Sequence, residues 1–259
     1  MSNFKIATWN VNSLRVRLPH VLTWLEQVKP DILALQEIKL INEDFPHAEL
    51  NAIGYRTIAS GQKTYNGVAV LSREESRDAI TELPAFVDHQ RRVLAVTVGD
   101  IRILNLYVPN GESVTSEKYQ YKLNWLRSLN AFVQEEIAKH SKMILLGDFN
   151  IAPSDMDVYD PREWEGQVLF SLPERDALNS LLKIGFQDCF RLRAPDEKSF
   201  SWWDYRLNAF KRNMGLRIDH IFANTAFSQQ CTNCYIDKNP RAWERPSDHA
   251  PVVAEFNLN

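Results

Sequence analysis

Residues 93–108 read VLAVTVGDIRILNLYV, and this stretch sets the class of fold. Two apolar runs, Val93 to Val98 and Ile101 to Val108, are separated by Gly99-Asp100. A two-residue connection of this composition is a turn signal between the strands of a β-hairpin. The stretch therefore predicts two adjacent antiparallel strands, and the rest of the chain has to supply their neighbours.

Further apolar runs and helical periodicity are interleaved from end to end. The spacing of apolar side chains predicts helices over Leu18 to Val28, Ser116 to His140 and Pro173 to Ile184. Strands are predicted over Phe4 to Val11, Asp31 to Gln36, Gly67 to Ser72, Lys142 to Gly147, Ser199 to Tyr205, Leu216 to Ala223 and Pro251 to Leu258. Many strands with few crossover helices indicate an α/β protein, in which sheets pack on each other and helices cover them. Because no repeat or linker interrupts the pattern, we expect one continuous domain over residues 1–259.

The composition excludes several classes of protein. With 259 residues, 44% of them hydrophobic and 24% charged, the chain is typical of a globular protein. No apolar stretch approaches the ~18 residues of a membrane span. The first residues, MSNFKIATWN, do not resemble a secretory signal, so we expect a cytoplasmic protein. The net charge of −3 gives no indication of nucleic acid, and a phosphate-binding face would have to be local.

The three cysteines are Cys189, Cys231 and Cys234. An odd number in a chain without a secretory signal predicts free thiols. Cys231-Thr-Asn-Cys234 has the spacing of a metal or redox pair, but a zinc site would need a second pair of ligands and none is visible. We therefore favour structural cysteines.

Polar side chains recur at the ends of the predicted strands. Glu37 follows the second strand, for example, and Asp148 follows the strand over residues 142–147. The full set is Asn10, Asn12, Gln36, Glu37, Asn105, Tyr107, Asn110, Asp148, Asn150, Asp219, His220, Asp248 and His249. Strand ends that meet at one rim of a sheet would bring these groups into one pocket.

Four members of this set are carboxylates: Glu37, Asp148, Asp219 and Asp248. Four neighbouring negative charges repel each other and would also repel a phosphate, and a hard cation resolves both problems. Oxygen ligands with amides in support fit Mg²⁺ or Mn²⁺ rather than zinc. Mg²⁺ commonly takes one or two protein carboxylates, and Glu37 is our first choice for that bond.

Each motif, taken alone, also has a structural explanation. The sequence from Gly147 to Asn150 could be a turn with side-chain hydrogen bonds, and Ser247 to His249 could be a local cap. Tyr107 could be a core tyrosine, and Trp202-Trp203 would more often be core than ligand-binding. The functional interpretation depends on these motifs occurring together and in order.

Six motifs resemble, in order, the signatures of the exonuclease III-like abasic-site endonucleases. They are Thr8-Trp9-Asn10-Val11-Asn12, Leu35-Gln36-Glu37, Leu106-Tyr107-Val108-Pro109-Asn110, Leu146-Gly147-Asp148-Phe149-Asn150, Gly215-Leu216-Arg217-Ile218-Asp219 and Pro246-Ser247-Asp248-His249-Ala250-Pro251. This family belongs to the endonuclease/exonuclease/phosphatase superfamily, which includes pancreatic DNase I, and the resemblance spans residues 4–258. It implies a four-layer α/β sandwich, with two packed mixed β-sheets flanked by helices. It also implies DNA repair: metal-dependent hydrolysis 5′ to abasic sites in duplex DNA, with 3′-5′ exonuclease and 3′-phosphatase activity.

The resemblance implies a role for each residue of the site. Asp148 would orient and deprotonate the attacking water with Asn150 beside it, and Tyr107 would contact the phosphate. His249 would also contact the phosphate, kept cationic by Asp219, since an Asp–His pair raises the imidazole pKa. The implied catalytic set is Tyr107, Asp148, Asn150, Asp219 and His249. The implied metal set, for one or two Mg²⁺ or Mn²⁺ ions, is Asn10, Glu37, Asp148, Asn150, Asp248 and His249.

We expect loops around the pocket to bind DNA. Residues 205–218 contain Arg206, Lys211, Arg212 and Arg217 and no acid, which is a local charge of +4. Interleaved apolar side chains suit insertion at a gap in the duplex, and the family places an aromatic residue at Trp202 in the abasic pocket. The expected DNA-binding set is Asn12, Asn110, Trp202, Arg206, Lys211, Arg212 and Leu216, with further phosphate contacts at residues 60–67, Arg91 and Arg92. The alternative is a solvated charged hairpin.

Residues 151–173 form a segment of about twenty residues without clear periodicity, and loops of this length are usually functional. The family varies at residues 164–167, which would help decide whether an internal abasic site or only a 3′-end can enter.

Two rival functions remain: a relative that acts on a phosphoinositide, a phospholipid or RNA, and a non-catalytic DNA-binding module. The basic segment favours DNA, and the complete carboxylate set favours an enzyme. The expected partner is double-stranded DNA with abasic sites or blocked 3′-ends, bound by a monomer.

Overall fold

Two six-stranded mixed sheets face each other in the computed structural model, which describes residues 2–84 and 86–258. The first sheet contains β1 (Ser2–Asn10), β2 (Ile32–Gln36), β3 (Arg56–Ser60), β4 (Val68–Ser72), β11 (Cys231–Ile236) and β12 (Val252–Leu258). The second contains β5 (Ser76–Ile80), β6 (Val93–Val98), β7 (Ile101–Tyr107), β8 (Lys142–Asp148), β9 (Phe186–Asp188) and β10 (Asp219–Asn224). Their orders are β11-β12-β1-β2-β4-β3 and β5-β6-β7-β8-β10-β9. The pairs β1–β2 and β7–β8 are parallel, and the other neighbours are antiparallel.

Seven helices in the described residues lie around the two sheets. They are α1 (Leu14–Val28), α2 (His47–Ala52), α3 (Glu117–Ile137), α4 (Pro161–Trp164), α5 (Leu172–Leu182), α6 (Cys189–Arg193) and α7 (Thr225–Ser228). Trp24 of α1 packs in one apolar cluster with Trp9 and Leu35 of the first sheet. Residues of α3 and α5 pack against the outer face of the second sheet, and a third cluster fills the space between the sheets. The four-layer α/β sandwich predicted from the sequence is confirmed.

Local sequence explains where the main helices begin. Ser116 caps α3, because its hydroxyl accepts a hydrogen bond from the Tyr119 N–H at 3.2 Å. Helix α5 begins with a capping box formed by Ser171 and Glu174. Helix α1 begins four residues earlier than predicted, at Leu14, directly after two residues with positive φ.

One predicted strand is wrong, and four strands were missed. Residues 199–205 form no strand, because their N–H groups bond to two different segments: that of Trp202 to the Leu216 carbonyl and that of Trp203 to the Asp248 carbonyl. Trp202 is left with isolated bridges to Leu216 and His249. The missed strands are β3, β5, β9 and β11, all four of which are edge strands. Edge strands lack the continuous apolar pattern that reveals buried ones.

Two further expectations concern membranes and thiols. No helix in the described part of the chain is long and apolar enough to cross a membrane. Cys189, Cys231 and Cys234 are buried and form no disulfide, which confirms the prediction of free thiols.

Strand register brings the polar strand ends together. Asp219 of β10 lies opposite Asp148 of β8, and Tyr107 of β7 lies beside Asp148 on the other side. In the first sheet Asn10 of β1 pairs with Gln36 of β2. These side chains lie on the inner faces of the two sheets, above the apolar layer between them. The site is therefore built at one rim of that layer, as the sequence predicted.

Candidate active site

Asp148 lies at the centre of the polar cluster and is 1% exposed. Its Oδ2 accepts hydrogen bonds from Asn10 Nδ2 at 2.9 Å and from Asn150 Nδ2 at 3.2 Å. Its Oδ1 accepts the backbone N–H of Asn150 at 2.9 Å. Burial raises the pKa of Asp148 to about 7, although the neighbouring charge of His249 opposes this rise. A carboxylate in this state is oriented by amides and can accept a proton near neutral pH.

His249 faces Asp148 and is held from behind by Asp219. The Nδ1–H donates to Asp219 Oδ2 at 2.9 Å, and Nε2 lies 3.8 Å from Asp148 Oδ2. Asp219 is itself held by Ser201, whose hydroxyl donates to Oδ2 at 2.7 Å. Burial alone would lower the pKa of His249, but the carboxylates of Asp219 and Asp148 outweigh it and raise the pKa to about 10. The imidazole is therefore a cation at neutral pH, as the sequence predicted.

Glu37 and Asp148 lie on either side of the Asn10 amide. Asn10 Nδ2 donates to Glu37 Oε1 and to Asp148 Oδ2, both at 2.9 Å, so the amide nitrogen rather than the oxygen faces the carboxylates. Ligand atoms of Glu37, Asp148 and His249 lie within 4.8 Å of one another, the only such group in residues 2–84 and 86–258. The two carboxylates fit a hard divalent cation. The imidazolium does not, because its two nitrogens both carry protons.

Asp248 is bound on both oxygens by neighbouring side chains. Its Oδ1 accepts from Asn12 Nδ2 at 3.0 Å, and its Oδ2 accepts from Trp202 Nε1 at 3.0 Å. Burial alone would raise the pKa of Asp248, but the charge of His249 and these two hydrogen bonds lower it below its usual value. Asp248 is thus an ionised carboxylate beside the group of Glu37, Asp148 and His249, and not a member of it.

Tyr107 presents its phenol to Glu37. Burial raises the pKa of Tyr107 well above its usual value, and the charge of Glu37 adds to the rise, so the hydroxyl stays protonated. The guanidinium of Arg92 lies over the Tyr107 ring, 4.6 Å from its centroid, and donates to the Tyr107 carbonyl at 3.3 Å. Arg92 is therefore buried against Tyr107 and is not free to bind a phosphate, contrary to the expectation from the sequence.

A cavity of about 560 Å³ opens beside Trp202. It is lined by aromatic and apolar side chains, among them Tyr159, Trp164, Leu207 and Met214, with Arg206 at its edge. Because Trp202 also donates a hydrogen bond to Asp248, this cavity adjoins the polar cluster around Asp148. The expected loop at residues 151–173 thus contributes one wall, through Tyr159 and Trp164.

The charge of residues 205–218 is smaller than the sequence indicated. Arg217 is 1% exposed and pairs with Asp157 at 2.6 Å and with Asp188 at 2.8 Å. Arg206 is exposed but pairs with Asp204, which lies one residue before residues 205–218 and so did not enter their charge of +4. Lys211 and Arg212 are exposed and form no ion pair within the described residues. Two of the four expected cations therefore remain available to a polyanion.

Leu216 is fully buried, so it cannot insert into a duplex from this position. It packs with Val158, Phe170 and Ile218 beneath the cavity. The exposed apolar side chain is Leu207, which is 74% exposed and has a positive φ of 58°. The prediction that Leu216 inserts into DNA is therefore wrong, because the turn at 206–208 exposes Leu207 instead.

Comparison with known proteins places this site in a family. The model of the endonuclease/exonuclease/phosphatase family matches residues 7–249. Exodeoxyribonuclease III of Haemophilus influenzae is 36% identical over 266 residues, covering 97% of this chain and 99% of that protein. The chain belongs to the endonuclease/exonuclease/phosphatase family. As a member of this family it is a hydrolase of the nuclease type, and the resemblance found in the sequence is confirmed.

Solved structures of this family superpose closely on the chain. The 3′ phosphatase NExo from Neisseria, solved with a product DNA hairpin, has a TM-score of 0.97 and 48% identity over 98% of this chain and all of that one. An AP endonuclease from Archaeoglobus fulgidus has a TM-score of 0.96 and 40% identity over the same shares. The chain is thus similar to nucleases named for two different activities.

Several residues of this nuclease site were missed by the sequence analysis. Lys39 Nζ lies 2.9 Å from Glu37 Oε2 and donates to Asn12 Oδ1 at 2.6 Å, and its position two residues after Glu37 could have revealed it. Ser247 was quoted as part of a motif and of a possible local cap, and its Oγ does accept the His249 N–H at 3.2 Å; its donation to the Asn10 carbonyl at 2.7 Å, which joins two of the motifs, was not foreseen. Ser201 lies outside every motif, and no signal in the sequence pointed to it.

Proposed function

We propose that the protein is a DNA-repair nuclease, which hydrolyses the phosphodiester 5′ to abasic sites in duplex DNA and trims or dephosphorylates blocked 3′-ends. One observation carries the proposal: the cluster of Asp148, Glu37 and cationic His249 lies next to an aromatic cavity, and Trp202 bonds to Asp248 at their junction. The cluster is suited to a phosphodiester. The cavity is suited to a sugar that carries no base.

Divalent metal fits this cluster, and we propose Mg²⁺ with Mn²⁺ as a substitute. Glu37 and Asp148 would hold one ion, and Asp248 would act beside it or serve a second one. Asn10 would need to turn its amide over to offer an oxygen, since its nitrogen now bonds to both carboxylates. When bound, the ion supplies positive charge to the phosphoryl and leaving oxygens.

The side chains of the cluster then have separate tasks in the reaction. Asp148 accepts the proton of the attacking water through its buried carboxylate, whose pKa burial raises to about 7 when no metal is bound. Asn10 and Asn150 hold the accepting oxygen in place. General-base catalysis of this kind contributes about 10²–10⁴-fold to the rate.

His249 and Tyr107 act on the phosphate as donors. Nε2–H of His249 points into the cluster and donates to a non-bridging oxygen, while Asp219 holds the opposite side of the ring. The Tyr107 hydroxyl stays protonated and donates in the same way. Fixed donors that match developing charge stabilise a transition state without reorganisation, and each is typically worth about 10²–10³-fold.

The DNA would lie across the cavity and the loops around it. Asn12 and Asn110 lie at the rim of the cluster, and Arg206, Lys211 and Arg212 lie beside the cavity or on the loop that closes it. Exposed cations suit phosphate contacts, which position a nuclease without reading sequence. We further infer that a monomer acts on duplex DNA in the cytoplasm.

The experiment that tests the proposal compares three duplexes, with an internal abasic site, a recessed 3′-end or a 3′-phosphate. Each is incubated with the purified protein and Mg²⁺, with Mn²⁺, and with chelator. We expect cleavage or phosphate release in the presence of either ion and none in chelator. Activity on phosphoinositides or RNA but on none of the duplexes would refute the proposal, and full activity in chelator would refute the metal.

The same three duplexes also separate the two named activities of the relatives. Trp164 and Tyr159 form a wall of the cavity where an internal abasic site would enter. Cleavage of the abasic duplex at a rate comparable to 3′-phosphate release would assign both activities to this chain. Release of 3′-phosphate alone would restrict the function to 3′-end processing.

A further inference from the structure

A fully buried lysine lies beneath the catalytic amides. Lys122 of α3 has no exposed surface, and its ammonium donates to the carbonyl of Asn150 at 2.7 Å and to that of Asn110 at 3.0 Å. Its third proton is donated to Glu174. All three donors of the ammonium are therefore used, and two of them bind the backbone of residues in the site.

The two asparagines held by Lys122 form a chain that ends on Asp148. Asn110 Nδ2 donates to Asn150 Oδ1 at 3.1 Å, and Asn150 Nδ2 donates to Asp148 Oδ2 at 3.2 Å. Asn150 has a positive φ of 50°, a conformation that costs energy unless the surroundings hold it. The bond from Lys122 to the Asn150 carbonyl supplies such a hold.

Glu174 connects the same ammonium to the wall of the cavity. Its Oε1 accepts the Leu169 N–H at 3.0 Å, and its Oε2 accepts the Ser171 N–H at 3.0 Å and the Ser171 hydroxyl. These residues end the segment that contributes Trp164 to the cavity. A buried ion pair is weak evidence for stability, because its desolvation cost offsets the attraction, so its location points to another role.

We propose that Lys122 is a positioning residue for phosphodiester hydrolysis: it fixes the carbonyls of Asn110 and Asn150, and through their amides the orientation of Asp148. This role rests on the proposed nuclease function. Lys122 has no exposed surface with which to touch a substrate. A small displacement of a catalytic group can lower the rate by about a hundredfold. We therefore expect the loss of Lys122 to slow the chemical step and not to change the affinity for DNA.

The test uses Lys122→Met/Glu174→Gln, which removes both charges together and leaves no unpaired buried ion. The matched control is Arg102→Met/Glu136→Gln. Arg102 of β7 is also buried, pairs with Glu136 of α3 at 2.7 Å and donates to the Asp78 carbonyl at 2.8 Å, and its hydrogen bonds within the described residues go to no residue of the site. Both variants should lose comparable stability in thermal unfolding.

Only the Lys122 variant should lose catalysis. We expect its single-turnover rate at saturating duplex to fall by about ten- to a hundredfold, with the dissociation constant for DNA within about twofold of wild type. The control should keep its rate within about twofold. Equal losses in both variants, or a wild-type rate in the Lys122 variant, would overturn the proposal.

A second measurement needs no turnover. Hydrogen exchange of the peptide over residues 147–153 should be faster in the Lys122 variant than in the control, because the Asn150 N–H loses its fixed geometry at Asp148. Unchanged exchange would overturn the positioning role. If the wild type cleaves none of the three duplexes, the proposed function fails, while this comparison still decides the role of Lys122. Should the first variant not fold, Lys122→Gln/Glu174→Gln replaces the ion pair by two neutral amides and is measured in the same way.

Discussion

The double substitution Lys211→Ala/Arg212→Ala should weaken DNA binding through lost counterion release. Both side chains are exposed and form no ion pair with the rest of the described chain, whereas Arg206 is paired with Asp204 and Arg217 is buried with Asp157. The structure therefore leaves two free cations where the sequence counted four. Each phosphate that a cation neutralises contributes about 0.9 to the log–log dependence of affinity on salt.

The magnitude follows from that number. Removing both cations should flatten the salt slope by at most about 1.8. Over a fourfold rise in salt concentration, a slope of that size corresponds to about a tenfold change in affinity for DNA. Between 50 and 200 mM salt, the affinity of the variant should therefore fall by a factor about ten times smaller than the factor for the wild type. Flattening by clearly more than about two units would instead show that the substitution also disturbs phosphate contacts made by other residues.

The assay is the equilibrium dissociation constant for an abasic duplex at four salt concentrations, together with the single-turnover rate at saturating DNA. The rate should change little. Arg77→Ala/Arg127→Ala removes the same charge from β5 and α3 and should leave the slope unchanged. Trp202→Ala should impair abasic-site cleavage with an unchanged slope. A Lys211/Arg212 variant with wild-type slope and affinity would show that this loop is only a solvated edge.

Three other predictions concern the catalytic base, the histidine and stability. Asp148→Asn should lower the single-turnover rate by about 10²–10⁴-fold with little change in DNA affinity, and a near-wild-type rate would show that another group activates the water. Asp219→Asn should move the alkaline limb of the pH–rate profile to lower pH, because it removes a carboxylate that raises the pKa of His249 to about 10; an unchanged limb would refute the role of Asp219. Burial lowers the pKa of His220 to about 4, so this residue binds a proton more readily in the unfolded chain. Its own contribution to the free energy of unfolding should therefore decrease by about 3 kcal/mol as the pH falls from about 6.5 to about 4, while the raised pKa of Asp148 acts in the opposite direction. Urea unfolding of the wild type and of His220→Gln at several pH values measures this contribution as the difference between the two proteins; Asp157, with a pKa of about 2, affects stability only below about pH 4.

Local patterns predicted the site well because its residues follow buried strands. The apolar runs before Asn10, Glu37 and Asp148 are complete strands in the structure, and their ends meet as expected. The same reasoning failed where the partner is remote in sequence. Arg217 counted as a free cation because nothing local shows that Asp157, 60 residues earlier, neutralises it.

The loops after residue 199 were the least predictable part of the chain. Trp202 and Leu216 suggested strands and an inserting side chain, because both lie in apolar runs. In the structure Trp202 bridges two different segments and Leu216 fills a small cluster of its own. The turn at 206–208 determines which apolar residue of this loop is exposed. Nothing in the sequence around Leu207 indicates that this leucine has a positive φ.

A single row of paired residues explains why the second sheet needs its particular register. Tyr107, Asp148 and Asp219 are direct neighbours on β7, β8 and β10, so all three side chains lie on the same inner face. A slip of one residue would turn them toward the helices, into the apolar cluster that contains Leu106 and Phe222. Gly147 permits this row, because a Cβ there would lie 1.9 Å from the Leu106 carbonyl oxygen, and its φ is +140°. The close approach of β7 and β8 at Gly147 thus brings Tyr107 beside Asp148, and a side chain at 147 would separate the strands at the point where the proposed base and phosphate donor must meet.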